Sequence, residues 1–125
     1  MQRKIIAVAG ATGAQGGGLV RSILADPHGE FAVRAITRDP DSPKARALAA
    51  AGADVVAADV ADRAAVARAF DGAHGAYCVT FFWHHFSPDQ ERAEAHALAD
   101  AAKQAGVQHV VWSTLEDSRR FVKLE

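Results

Sequence analysis

The stretch Gly10-Ala11-Thr12-Gly13-Ala14-Gln15-Gly16-Gly17 limits what this chain can fold into more than any other. Before it runs Lys4-Ile5-Ile6-Ala7-Val8-Ala9, a nearly continuous apolar segment of strand length; after it Leu19, Val20, Ile23 and Leu24 recur at helical spacing. The glycines therefore lie at a strand-to-helix turn. Gly10, Gly13 and Gly16 stand three residues apart. They permit a tight turn, let backbone come close to a phosphate, and let the helix lie near the sheet. Free N–H groups and the positive end of the helix dipole then face an anion. A helix cap with close packing would account for one or two of these glycines, but not for Thr12 and the whole run. The stretch is read as a pyrophosphate-binding turn.

The rest of the chain repeats the alternation. Phe31–Thr37 reads as a second strand, Pro43–Ala51 as an alanine-rich helix stopped by Gly52, and Asp54–Ala58 as a third strand. Ala64–Phe70 is a short helix closed by Asp71-Gly72, and Gly75–Thr80 a fourth strand. Ser87-Pro88-Asp89 opens a long helix to Ala105, with Ala93, Ala97, Leu98, Ala101, Ala102 and Ala105 on a small-residue face; Val107–Ser113 is a fifth strand. Five strands alternating with four helices predict an α/β, Rossmann-like, doubly wound parallel sheet of order 3-2-1-4-5. No internal repeat or linker interrupts residues 1–125, so they form one domain.

The strand ends carry the chemistry. Where an acidic residue would take the adenosine ribose hydroxyls, the second strand ends in Thr37-Arg38, with Lys44 and Arg46 following. A carboxylate repels a 2′-phosphate, whereas a guanidinium grips it with two charge-assisted hydrogen bonds. NADP(H) is thus expected in preference to NAD(H). Asp39 could cap the next segment or compete for Arg38, and Lys44 and Arg46 read equally well as a solvated helix face. Past the third strand, Asp59 could accept from the adenine amino group or cap a helix, with Asp62 the better cap, and Val60 could pack on the ring. Phe82-Trp83-His84-His85-Phe86 reads as a loop or lid over the nicotinamide; its adjacent histidines lack the i, i+4 spacing of a helical metal pair, and no metal is expected.

Composition excludes several classes. With 14 basic and 15 acidic residues the chain has no electrostatic footprint for direct nucleic-acid or anionic-membrane binding. No apolar run nears 18 residues, and Met-Gln-Arg-Lys leads straight into a strand, so neither membrane span nor signal peptide is expected. One cysteine, Cys78, in an apolar run, rules out an internal disulfide and fits a reducing cytoplasm.

The glycine motif, Thr37-Arg38-Asp39-Pro40, Val79-Thr80-Phe81-Phe82-Trp83 and Val110-Val111-Trp112-Ser113-Thr114-Leu115-Glu116 together resemble the NmrA-like family, atypical relatives of the short-chain dehydrogenases, from about Lys4 to Glu116. The G-x-x-G-x-x-G spacing also matches those dehydrogenases. The resemblance implies that Gly10, Thr12, Gly13, Ala14, Gln15 and Gly16 hold the pyrophosphate, that Arg38 meets the 2′-phosphate, that Asp59 and Val60 lie near adenine, and that Thr80 and Phe82 lie near the inner ribose.

Two departures from the family shape the expectation of function. Members run to about twice this length or more, so the chain is expected to be incomplete at its C-terminus, before the last strands and a C-terminal lobe; otherwise a homodimer or other cover would protect the fifth strand. A short-chain dehydrogenase pairs a tyrosine acid with a lysine four residues on. The only tyrosine, Tyr77, is followed at that spacing by Phe81, and Ser113, at the position of the carbonyl-polarising serine, reads better as a strand-end hydrogen-bonding residue than as a catalyst. The leading expectation is an NADP(H)-binding redox sensor that regulates a protein partner according to cofactor state. The alternative is an NADPH-dependent oxidoreductase of quinones or an isoflavone-reductase-like enzyme.

Overall fold

The computed structural model describes residues 2–123. In chain order the elements are β1 (Lys4–Val8), α1 (Ala14–Ala25), β2 (Phe31–Thr37), α2 (Pro43–Ala50), β3 (Asp54–Ala57), α3 (Arg63–Phe70), β4 (Gly75–Cys78), α4 (Phe82–His85), α5 (Pro88–Gln104) and β5 (His109–Trp112), followed by a 3₁₀ turn at Ser118–Arg120. All five strands are parallel, in the order β3-β2-β1-β4-β5. This is the doubly wound α/β sheet that the alternation predicts.

Why β1 is central follows from its residues. Lys4–Val8 pairs with β2 on one side, and its Ile6–Val8 end pairs with β4 on the other, so burial rises along the strand from exposed Lys4 to buried Ala7 and Val8. Ala7 and Val8 are fully buried and point to opposite faces. Ala7 joins Ile36, Val66, Phe70, Cys78, Leu98, Ala101 and Ala102 in the layer under α3 and α5. Val8 joins Val20, Val33, Ala35 and Leu48 under α1 and α2. Each of the strands β1 to β4 thus divides its apolar residues between two cores. β5, at the sheet edge, is exposed at all four positions.

Three details differ from the sequence expectation. Phe82–His85 is a short helix rather than a loop, closed by Phe86 in the left-handed region at φ 54°, so the described residues hold five α-helices instead of four. β4 leaves the sheet after Cys78 and β5 after Trp112, because the chain beyond Cys78 turns towards the glycine loop. On α5, Ala93 is exposed and Glu94 takes the buried position beside Ala97, Leu98, Ala101 and Ala102. Arg34, inside β2, donates to the carbonyls of Ala69 (2.8 Å) and Asp71 (2.6 Å). It thereby fastens the end of α3 to the sheet.

Candidate functional site

The glycine turn is built by contacts that exclude side chains. Gly10 adopts φ +61°, and a Cβ there would come within 3.1 Å of the Phe81 ring and of Val79. At Gly16 a Cβ would run into the Gly10 carbonyl oxygen, so α1 can lie this close to the turn only with glycine at that position. Gly13 N–H donates to the Gly10 carbonyl (2.9 Å), and Ala11 N–H to that of Ile36 (3.1 Å). These bonds lock the turn against the ends of β1 and β2.

Gly13 is also the N-cap of α1, where no side chain caps the helix and no acidic residue occupies the first turn. The other long helices are closed differently. Ser42 accepts from Ala45 N–H, Asp62 from Ala65 N–H and Ser87 from Gln90 N–H. The first-turn N–H groups of α1 therefore remain available to an anion, with the dipole favouring negative charge. A cleft of about 390 Å³ opens beside this end, lined among others by Gly10, Thr12, Gly13, Arg38, Val60 and Phe81. A glycine cradle that a Cβ would fill, an uncapped helix end and an arginine at the rim fit a phosphorylated dinucleotide.

Arg38 is exposed just past β2, and its guanidinium donates to His84 Nδ1 at 3.0 Å. Arginine only donates, so Nδ1 accepts and the ring proton sits on Nε2. Asp39, the competitor expected from the sequence, is turned away: its carboxylate accepts from Asp41 N–H (3.0 Å). The next histidine faces inward. His85 Nδ1 accepts from Ser87 N–H (3.0 Å), and its Nε2 donates to Glu94 (2.8 Å). The same carboxylate oxygen of buried Glu94 accepts from Phe81 N–H at 3.3 Å. Adjacent histidines thus serve two different partners.

The other expected residues divide. Gly10, Thr12, Gly13, Arg38 and Val60 come together in the cleft, and Ala14 lines a second one with Arg21 and Lys44 on the far side of the turn. Asp59 is exposed, and its carboxylate accepts from Ala61 N–H (2.9 Å), whereas Ala58 and Val60 on either side line the cleft. Asp62 is indeed the cap of α3. Gln15 directs its side chain to the opposite side: Tyr77 OH donates to its Oε1 at 2.5 Å and Ser113 Oγ at 2.7 Å. Thr80 donates to Glu91 (2.8 Å) and lines a separate cleft with Trp112, Ser113 and Thr114. Phe82 packs edge-on against Trp83, His85 and Phe86, and Phe81 takes its place at the cleft. Lys44 flanks the phosphate turn, while Arg46 is exposed on α2. Cys78 is fully buried, which pushes its thiol up to about 12.

The sequence puts Phe81 beside the crevice along with Thr80 and Phe82 but does not single it out, and it gives His84 no partner and Glu94 no role. Glu94 had a signal: it stands 3, 4 and 7 residues before Ala97, Leu98 and Ala101, on the buried stripe of α5. His84 had none, because its partner Arg38 is 46 residues away.

No helix among the described residues is long and apolar enough to cross a membrane. The profile of the NmrA-like family matches residues 2–124. An NmrA-like family domain-containing oxidoreductase, FrzB, from Cladobotryum sp. is 44% identical over 114 residues, covering 88% of this chain and 33% of that protein. Among solved structures, NmrA, a negative transcriptional regulator, in complex with NAD has a TM-score of 0.83 at 30% identity, covering 98% of this chain and 37% of that one. The NADPH-dependent quinone oxidoreductase QOR2 of Escherichia coli, complexed with NADPH, has a TM-score of 0.72 at 32% identity, covering 88% and 36%. The chain spans about a third of the length of the curated relatives it matches.

Proposed function

The chain belongs to the NmrA-like family, and from that premise we propose that residues 1–125 form an NADP(H)-binding domain. The carrying observation is that the uncapped end of α1 and the Arg38 guanidinium border one cleft. In this reading the backbone N–H groups at Ala14 to Gly16, with Thr12, take the pyrophosphate, Gly10 and Gly13 let it approach the backbone, Arg38 takes the 2′-phosphate, and Val60 packs against adenine beside Ala58. Gln15 contributes its backbone, since its side chain is engaged by Tyr77 and Ser113. Relatives solved with NAD, NADP and NADPH support the dinucleotide class.

At the level of the whole protein, the proposed role is a cytoplasmic redox sensor in which cofactor state sets the affinity for a regulatory protein partner. A partner responds only if it binds the two cofactor states unequally. A second reading, an NADPH-dependent reductase of quinones or similar acceptors, draws on one observation: the hydroxyls of Tyr77 and Ser113 converge on Gln15 Oε1 at the carboxyl end of β4 and β5. There they could donate a proton to a reduced acceptor, while the dinucleotide supplies hydride when bound. Thr80, tied to Glu91 beside Ser113, lies on that same side and suits the inner ribose better than Phe82.

Calorimetric titration with NADPH, NADP⁺, NADH and NAD⁺ tests the first statement. Tighter binding of the phosphorylated pair is expected, and equal affinities would refute the assignment of Arg38. Arg38→Ala is expected to weaken NADPH binding by about 1–3 kcal/mol and leave NADH almost unchanged. A gap between NADPH and NADP⁺ without turnover of a quinone panel favours the sensor; steady NADPH oxidation favours the reductase.

A further inference from the structure

The geometry points to His84 as a specificity-determining residue: its Nδ1 holds the Arg38 guanidinium ready for the 2′-phosphate and so sets the preference for NADP(H) over NAD(H). This rests on the reading of Arg38 above and goes one residue beyond it. A long exposed arginine loses rotamer freedom when it grips a phosphate, and a partner that already restrains it removes part of that cost. His84 takes one N–H of the guanidinium at 3.0 Å and leaves the remaining donors for an anion. Among the described residues no carboxylate pairs with it, and neighbouring Asp39 is engaged with Asp41 N–H.

What makes His84 a fixed support is the way α4 is fastened. Its ring stacks on Phe81, centroids 5.5 Å apart and 25° from parallel. Phe81 lies against Gly10, and its N–H is bound by buried Glu94. On the other side, His85 is bound by the same carboxylate at 2.8 Å. The two residues that flank this turn of helix are thus tied to the interior, and His84 between them is set over the rim of the cleft. NADH offers no 2′-phosphate, so restraint of Arg38 changes nothing in its binding.

The test is calorimetry with NADPH and NADH on the unaltered chain, His84→Ala, His84→Asn and Arg38→Ala. His84→Ala should lower NADPH affinity about three- to tenfold, the scale of one side chain ordered on binding, with NADH unchanged. His84→Asn, whose amide oxygen can stand in for Nδ1 as acceptor, should restore most of the loss. Equal losses for both dinucleotides in His84→Ala, or an unchanged NADPH-to-NADH ratio, would overturn the role of His84. Loss of preference in Arg38→Ala alone leaves the 2′-phosphate reading standing without His84, whereas no change in Arg38→Ala removes that reading itself.

Discussion

The first turn of α1 and the first turns of α2, α3 and α5 face the same physical problem and resolve it in opposite ways. Every helix begins with N–H groups that have no partner within the helix. Ser42, Asp62 and Ser87 satisfy some of them with their own side chains. At α1 the capping position is Gly13, which has no side chain to offer. The three capped ends contribute stability to the fold whether or not anything is bound. The open end forgoes that contribution and leaves its donors without a side-chain partner. A missing cap is therefore informative only beside helices of the same chain that have theirs.

The comparison can be broken most severely at Gly16. Gly16→Val would drive a side chain into the Gly10 carbonyl, so dinucleotide binding should fall below detection by calorimetry, with a melting temperature lower by several degrees. Retained binding would show that the turn is not the phosphate site. Asp62→Ala addresses a closed end. It should cost about 1 kcal/mol of stability in urea unfolding and leave NADPH affinity as it was. A parallel loss of affinity would mean that the capped ends also serve the ligand.

Gly13→Ser sharpens the comparison by giving α1 the cap it lacks. The hydroxyl would occupy one or two of the open N–H groups, and affinity for both dinucleotides should fall severalfold, while stability changes by only about 0.5 kcal/mol, because glycine is itself a tolerable cap. A binding loss confined to NADPH would contradict the assignment, since the pyrophosphate is common to both. At neutral pH the smallest effect belongs to Cys78, in the closed interior. Its thiol keeps its proton to about 12 in the folded chain, against 9.0 ordinarily. The unfolded chain thus gives up that proton first, and this residue's contribution to stability is constant below pH 9 and declines between pH 9 and 12. Urea unfolding across that range, compared with Cys78→Ala, isolates it.

Much of this was legible beforehand, and for definite reasons. Ile5–Ala9, Phe31–Thr37 and the punctuation by Gly52, Gly72 and Gly106 write the alternation of strand and helix into local sequence, and a parallel sheet with central β1 follows from it. Gly10, Thr12, Gly13, Arg38 and Val60 were legible because the cleft forms where successive strands end. Thr80, Phe81 and Phe82 were all legible as strand-end residues beside the crevice, but which of the two rings lines the cleft was not, because a one-residue shift inverts it and the backbone there is held by Glu94 binding Phe81 N–H. The four residues Phe82–His85 are too few for helical periodicity to register. The bonds joining Gln15 to Tyr77 and Ser113 span 62 and 98 residues, a separation at which spacing carries no information.

The pairing of β1 with β4 has a consequence for synthesis on the ribosome. β1 and the glycine turn emerge first, and β2 can join them early, but the other flank of β1 waits for Ile6 to meet Gly75. Phe81 and Val79, the neighbours that close on Gly10, come later still. During that interval the apolar flank of β1 is open to other nascent segments and to chaperones. The glycine turn is thus among the first parts made, yet it is closed only once the chain as far as Phe81 has emerged.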